Sequence, residues 1–192
     1  MTPWSESQYA ARFAAGGVEL KPEELSGSPE ERRLRAELQR RFASDGEDWE
    51  TDEMDTLVAL VEWLALHRLG SAAEAPRIQG WKRLYVLSFA GARPFVKVGR
   101  TGDFAIRLRT HRTRAERDGN VLFDAWTSEL VADAHPWEQG VLRELRRRHP
   151  GVSRGESFYA LDYEEAIEVV HQQRIRITPC SVGLSLPRWQ PA

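Results

Sequence analysis

The chain has 192 residues, 41% hydrophobic and 29% charged, the balance of a globular protein with one ordinary domain or a small domain plus an extension. The apolar run Leu57–Leu66 is too short to span a membrane and contains Glu62; residues 1–17 carry neither a basic leader nor a long apolar run; Cys180 is the single cysteine, so there is no internal disulfide and no multi-cysteine zinc site. These features predict a cytoplasmic protein with no membrane partner. The net charge of −2 hides an asymmetry: residues 1–78 hold 9 Lys+Arg against 16 Asp+Glu, a balance of −7, and residues 79–192 hold 18 against 13, a balance of +5. An acidic half joined to a basic half is a cue for a polyanion-binding module with something attached.

In chain order, Ser28-Pro29-Glu30-Glu31 predicts a helix start and a helix running to about Ala43. A second helix is expected from Thr51 or Asp52 to about Leu69, with Met54, Leu57, Val58, Val61, Leu64 and Ala65 at helical spacing and Gly70-Ser71 as its stop. This acidic helical extension, residues 1–78, could pack over the basic half, form a homodimer or bind a protein partner. Ser71–Gly80 has the composition of a linker. Arg83–Phe89 and Phe95–Gly99 then read as two strands of a hairpin joined at Ala90–Pro94. Thr101-Gly102-Asp103 caps a helix from Phe104 to about Asp118. Val121–Val131 is a strand candidate, about Ala134–Arg148 a helix, Ser157–Leu161 extended, Tyr163–Gln172 helical and Ile175–Thr178 a last strand; residues 179–192 read as a tail. The fold class is α/β (α+β), a small mixed or antiparallel sheet of about three strands flanked by helices over residues 79–178.

The hairpin and the helix after it carry the candidate chemistry. Arg107 and His111 stand four apart and share a helix face, with Arg100 just before the helix and Asp103 at its start. A planar, permanently charged guanidinium is well suited to holding a phosphate. Trp81, Trp126 and Trp137 fit either base stacking or core packing, Phe158 fits the core, and His135 and His149 fit surface or capping positions.

The ordered strings Arg83-Leu84-Tyr85, Lys97-Val98-Gly99-Arg100-Thr101, Arg107, His111, Glu138 and Gly155-Glu156-Ser157-Phe158 resemble the GIY-YIG nuclease superfamily, in its phage-associated branch with a K-I-G-R-T-like second motif. The resemblance covers 75 to 90 residues. It departs from the family pattern at Arg83, where the first glycine stands, and at Lys97, where the second signature tyrosine stands. It implies a divalent-metal-dependent endonuclease acting on DNA, with one Mg²⁺ or Mn²⁺ held by Glu138. Mg²⁺ often takes only one or two carboxylates and keeps several waters. Tyr85 and His111 are both candidates for the general base, and Arg107 for the phosphate clamp. Nearby cations such as Lys97 would lower the Tyr85 pKa; Lys97 is also a candidate for direct phosphate contact. Gly99 is read as a backbone position with no room for a side chain. Arg100, Arg109, Arg112 and Arg114, with Lys82 and Arg83, are candidates for flanking phosphate contacts. Two other readings stand beside this one: a nucleic-acid-binding module that keeps the fold without the chemistry, and a related enzyme on a non-nucleic-acid substrate.

Overall fold

In the computed structural model, which describes Leu25 and residues 27–44, 52–70 and 79–177, two helices precede an antiparallel sheet flanked by three more helices. They are α1 (Pro29–Ala43), α2 (Asp52–Leu69), β1 (Arg83–Gly91), β2 (Phe95–Thr101), α3 (Phe104–Arg117), β3 (Asn120–Thr127), α4 (Ala134–Arg148), β4 (Ser153–Arg154), β5 (Ser157–Tyr159) and α5 (Tyr163–Ile177). The sheet order is β3-β1-β2-β5-β4, so β1 pairs with both β2 and β3. None of the helices among the described residues is long and apolar enough to cross a membrane.

Several elements form as their local sequence dictates. Ser28 Oγ accepts from the Glu31 N–H at 3.1 Å, capping α1. Asp103 caps α3 in the same way by accepting from the Ile106 N–H at 3.1 Å. Side-chain oxygens satisfy orphan N–H groups that a helix start otherwise leaves unpaired.

Two expectations are corrected. The sheet has five strands rather than about three, and all its pairings are antiparallel. β5 falls in the segment expected to be extended, Ser157–Leu161, and the unforeseen strand is β4, whose two residues are too few to show an alternation. The last strand expected at Ile175–Thr178 is instead the end of α5, because Ala166, Val169, Val170 and Gln173 keep a helical spacing of buried positions. Thr178, the linker residues 71–78 and the tail with Cys180 lie outside the described residues.

The core has two sides, set by strand alternation. Tyr85, Leu87 and Phe89 of β1 pack with Phe104 and Leu108 of α3 and with Leu60, Trp63 and Leu64 of α2. Leu84 and Val86 point the other way, with Val96 and Val98 of β2, toward Trp137, Val141, Leu142 and Leu145 of α4 and Val169 of α5. Of the expected extension, α2 thus closes one side of the core.

Ion pairs secure that junction. Arg68 of α2 donates to Glu31 of α1 at 2.7 Å and to Asp124 of β3 at 2.8 Å. Arg35 of α1 donates to Glu31 at 2.8 Å and to the Phe123 carbonyl. Glu62 of α2 accepts from Arg112 of α3 at 3.0 Å and from the Leu122 N–H at 3.1 Å. Glu31, Glu62, Arg112 and Asp124 are all buried. Part of the acidic charge of the N-terminal half is thus consumed inside the protein.

Candidate functional site

The strand register places Tyr85 opposite Gly99, and Leu84 opposite Arg100. Tyr85, Lys97 and Gly99 therefore share one face of the hairpin, and Arg100 lies on the other. Gly99 matters because of this pairing. A Cβ built there would stand 2.4 Å from the Tyr85 hydroxyl oxygen and 2.7 Å from Cζ. Only glycine lets the phenol lie across the neighbouring strand.

That phenol reaches His111 on α3, with 3.0 Å between the hydroxyl oxygen and Nε2. Tyr85 is fully buried, its ring set against Phe104 at 5.9 Å between centroids. Burial pushes its pKa up to about 12, although the Arg107 guanidinium within hydrogen-bonding reach pulls it down. The expected cation effect thus exists, but desolvation outweighs it. Burial also moves His111 down to about 4, helped by the positive charges of Lys97, Arg107 and Arg114. At neutral pH the imidazole is uncharged and the phenol protonated, so the Tyr85 hydroxyl donates to Nε2 in the tautomer that carries the imidazole proton on Nδ1.

Arg107 is exposed, with its charged form favoured first by the phenol beside it. Glu138 on α4 is buried, and its Oε2 accepts from Arg100 Nε at 2.8 Å. His135 Nδ1 lies 3.7 Å from the same oxygen. The charge of Glu138 is felt by both Tyr85 and Arg107. These groups meet across one edge, because β5 pairs only with Phe95, Val96 and Lys97, leaving Gly99 and Arg100 of β2 beyond its end. Tyr85, His111 and Arg107 lie on one side of that edge, and the Arg100–Glu138 pair on the other.

The cation that chiefly counters the rise at Tyr85 is Arg107. Lys97 Nζ donates to Glu156 at 3.2 Å, and its charge bears on His111. Glu156 was missed as a site residue. It stands in the Gly155–Phe158 string, and Gly155, at φ +65°, turns the chain into it. Its charge also reaches Tyr85 and Arg107.

The expected phosphate contacts divide. Arg109 and Arg114 are exposed on α3. Arg112 is not available: it is buried against Glu62, and its place among the substrate contacts is withdrawn. Helix spacing carries the reason, since Arg112 follows Leu108 by one turn on the buried face, whereas Arg107, His111 and Arg114 share the outer one. Arg83 donates to the Ser128 carbonyl at 2.7 Å, which ties it to the β3 end. Trp137 is core, its indole donating to the Val170 carbonyl at 2.9 Å, and Phe158 is fully buried. His149 Nε2 lies 3.0 Å from Glu165.

Among the described residues, no group of three or more His, Cys, Asp or Glu side chains converges as a metal cage. Among the described residues, Glu138 offers a buried carboxylate at the edge, with its Oε2 held by Arg100. One carboxylate suits a hard ion that keeps most of its water.

Residues 82–174 match the family model of the T5orf172 domain, a stretch that starts just before β1 and ends within α5. Neither the search of curated proteins nor that of solved structures returned a match.

Proposed function

We propose that the chain is a divalent-metal-dependent endonuclease of GIY-YIG type, hydrolysing phosphodiester bonds in DNA at the edge of β2. The observation that carries this reading is the Tyr85–His111 pair at 3.0 Å, with Arg107 beside the phenol. The match to the T5orf172 domain supports a nuclease-like, nucleic-acid-binding role.

Hydrolysis needs a water oxygen to attack phosphorus, a place for the water's proton and charge for the crowded phosphate. Arg107, exposed on α3, turns its guanidinium to a non-bridging oxygen and stabilises the charge that grows there. That movement uncovers the Tyr85 oxygen. The phenol takes the proton of the attacking water while passing its own to His111 Nε2; the phosphorus–oxygen bond to the leaving group breaks, and the departing oxygen is protonated from solvent. Tyr85 is thus the relay and neutral His111 the final acceptor. A base near pKa 4 is weak. A phosphate bound against Lys97, Arg107 and Arg114 offsets the cations that depress it, raising its basicity when substrate is present. A single Mg²⁺ or Mn²⁺ held by Glu138 would supply Lewis-acid stabilisation of the phosphate.

The test is a cleavage assay on single-stranded, duplex and branched DNA, with and without Mg²⁺ or Mn²⁺. Divalent-dependent nicking lost in Glu138→Ala supports the reading; nicking that survives in Glu138→Ala and Arg107→Ala removes the site assignment. A second reading, a binding module without chemistry, is favoured by the Arg100 guanidinium that holds Glu138 Oε2 at 2.8 Å. It predicts salt-sensitive DNA binding and no cleavage in any divalent ion.

A further inference from the structure

A cleft of about 850 Å³ lies beside the edge site, and its lining includes His111 and Lys97 but neither Arg107 nor Glu138. Four cations line it, Arg93, Lys97, Arg114 and Arg154, against Asp118 and Glu156. Glu156 is already neutralised by Lys97. Arg114 and Arg154 are exposed and make no ion pair among the described residues. The cleft therefore presents net positive charge.

Its wall also carries a flat layer. The Arg93 guanidinium lies over the Tyr159 ring, 4.5 Å from the centroid. Tyr159 packs against Phe95 at 6.0 Å, and Phe95 stacks on Phe89 at 4.7 Å. The ladder runs from the core to solvent and ends in an exposed planar cation. Aromatic rings and guanidinium planes are the surfaces on which nucleobases stack, whatever the base.

We propose that this cleft seats a single unpaired nucleic-acid strand, with a base stacked on the Arg93–Tyr159 layer and flanking phosphates on Arg114 and Arg154. In a duplex each base is covered by its neighbours, so only an unpaired base has a free face to offer. The cleft's volume falls in the range that encloses a small organic ligand, roughly 300–1,000 Å³, which suits a nucleotide and its neighbours. His111 joins cleft and edge, since it lines one and holds Tyr85 in the other. The inference rests on the nucleic-acid reading given above and refines it: the substrate has an unpaired segment next to the bond that is cut.

Fluorescence anisotropy in EDTA, at low salt, with a labelled single-stranded oligonucleotide and its duplex, tests the strand seat without any need for cleavage. The single strand should bind more tightly. Tyr159→Ala should weaken it about 5- to 100-fold, and Tyr159→Phe should bind like wild type. Arg114→Ala and Arg154→Ala should each weaken binding and lower the salt slope by about 0.7. Arg93→Ala, at an exposed position, carries the stacking test if Tyr159→Ala fails to fold. Unchanged single-strand binding in the stacking variants, an equal loss with duplex, or displacement by a mononucleotide at comparable concentration would overturn the proposal. The two readings fail separately. Stacking losses with no nicking in Mg²⁺ would remove the nuclease and keep the strand seat. Duplex nicking that is the same in wild type and Tyr159→Ala would keep the nuclease and remove the strand seat.

Discussion

Two arginine-rich regions of this molecule look alike in sequence and do opposite things. At the edge of β2, Arg107 and Arg114 stand on the outer face of α3, beside a neutral histidine and a cleft. On the inner face of the same helix, Arg112 is sealed against Glu62, and nearby Arg35 and Arg68 tie α1, α2 and β3 together through Glu31 and Asp124. The outer charges are available to a ligand. The inner ones are matched, and their effect is to fix how the N-terminal helices sit on the sheet. A buried charge is tolerated only with its partner in place, so charge alone does not mark a binding surface.

The largest expected effect breaks the inner region. Glu62→Ala leaves Arg112 buried without the carboxylate beside it and should cost about 3–5 kcal/mol of stability in denaturant unfolding. Stability within about 0.5 kcal/mol of wild type would mean that Arg112 turns outward, and the contrast between the two faces would collapse. Arg107→Ala should do the reverse. Nicking should fall about 10²- to 10³-fold, worth about 2.7–4 kcal/mol in the barrier, with the melting temperature nearly unchanged. A large loss of stability in that variant would place Arg107 with the inner set.

Gly99→Ala sharpens the edge side. A methyl group 2.4 Å from the Tyr85 oxygen forces the phenol or the strand to move, costing about 1–3 kcal/mol. The Tyr85–His111 pair should separate, seen as a changed His111 ring signal by NMR; an unaltered signal in a folded variant would deny Gly99 its role as the seat of Tyr85.

A further test is titration. His111 should titrate near pH 4 in the free protein, well below the ordinary imidazole value of 6.5. Its folded pKa is depressed, so between about 4 and 6.5 the unfolded chain binds the extra proton and stability rises with pH across that window. His111→Gln should flatten the rise. Lys97→Ala should move the His111 titration upward, since that charge helps to hold it down.

Much of this was legible along the chain. The caps at Ser28 and Asp103, the spans of α1 and α2 and the hairpin follow from local rules, because each depends on residues a turn or a strand apart. The one-turn spacing of Arg107 and His111 was equally local, and so was the signal that assigns Arg112 to the face of Leu108. Glu156 was harder, because its partner Lys97 is distant in sequence and meets it only through the β2–β5 pairing.

The sequence by itself determined the helices except for the end of α5, the hairpin and the order of the candidate residues, since propensity, capping and periodicity act over a few positions. Tertiary structure alone decided which charges face water, and it reversed the expected shift of Tyr85, because desolvation depends on everything packed around a group. It also decided that Glu138 meets Arg100, that Glu156 takes Lys97, and that α2 serves as part of the core. Those outcomes depend on which distant residues are brought within a few ångströms.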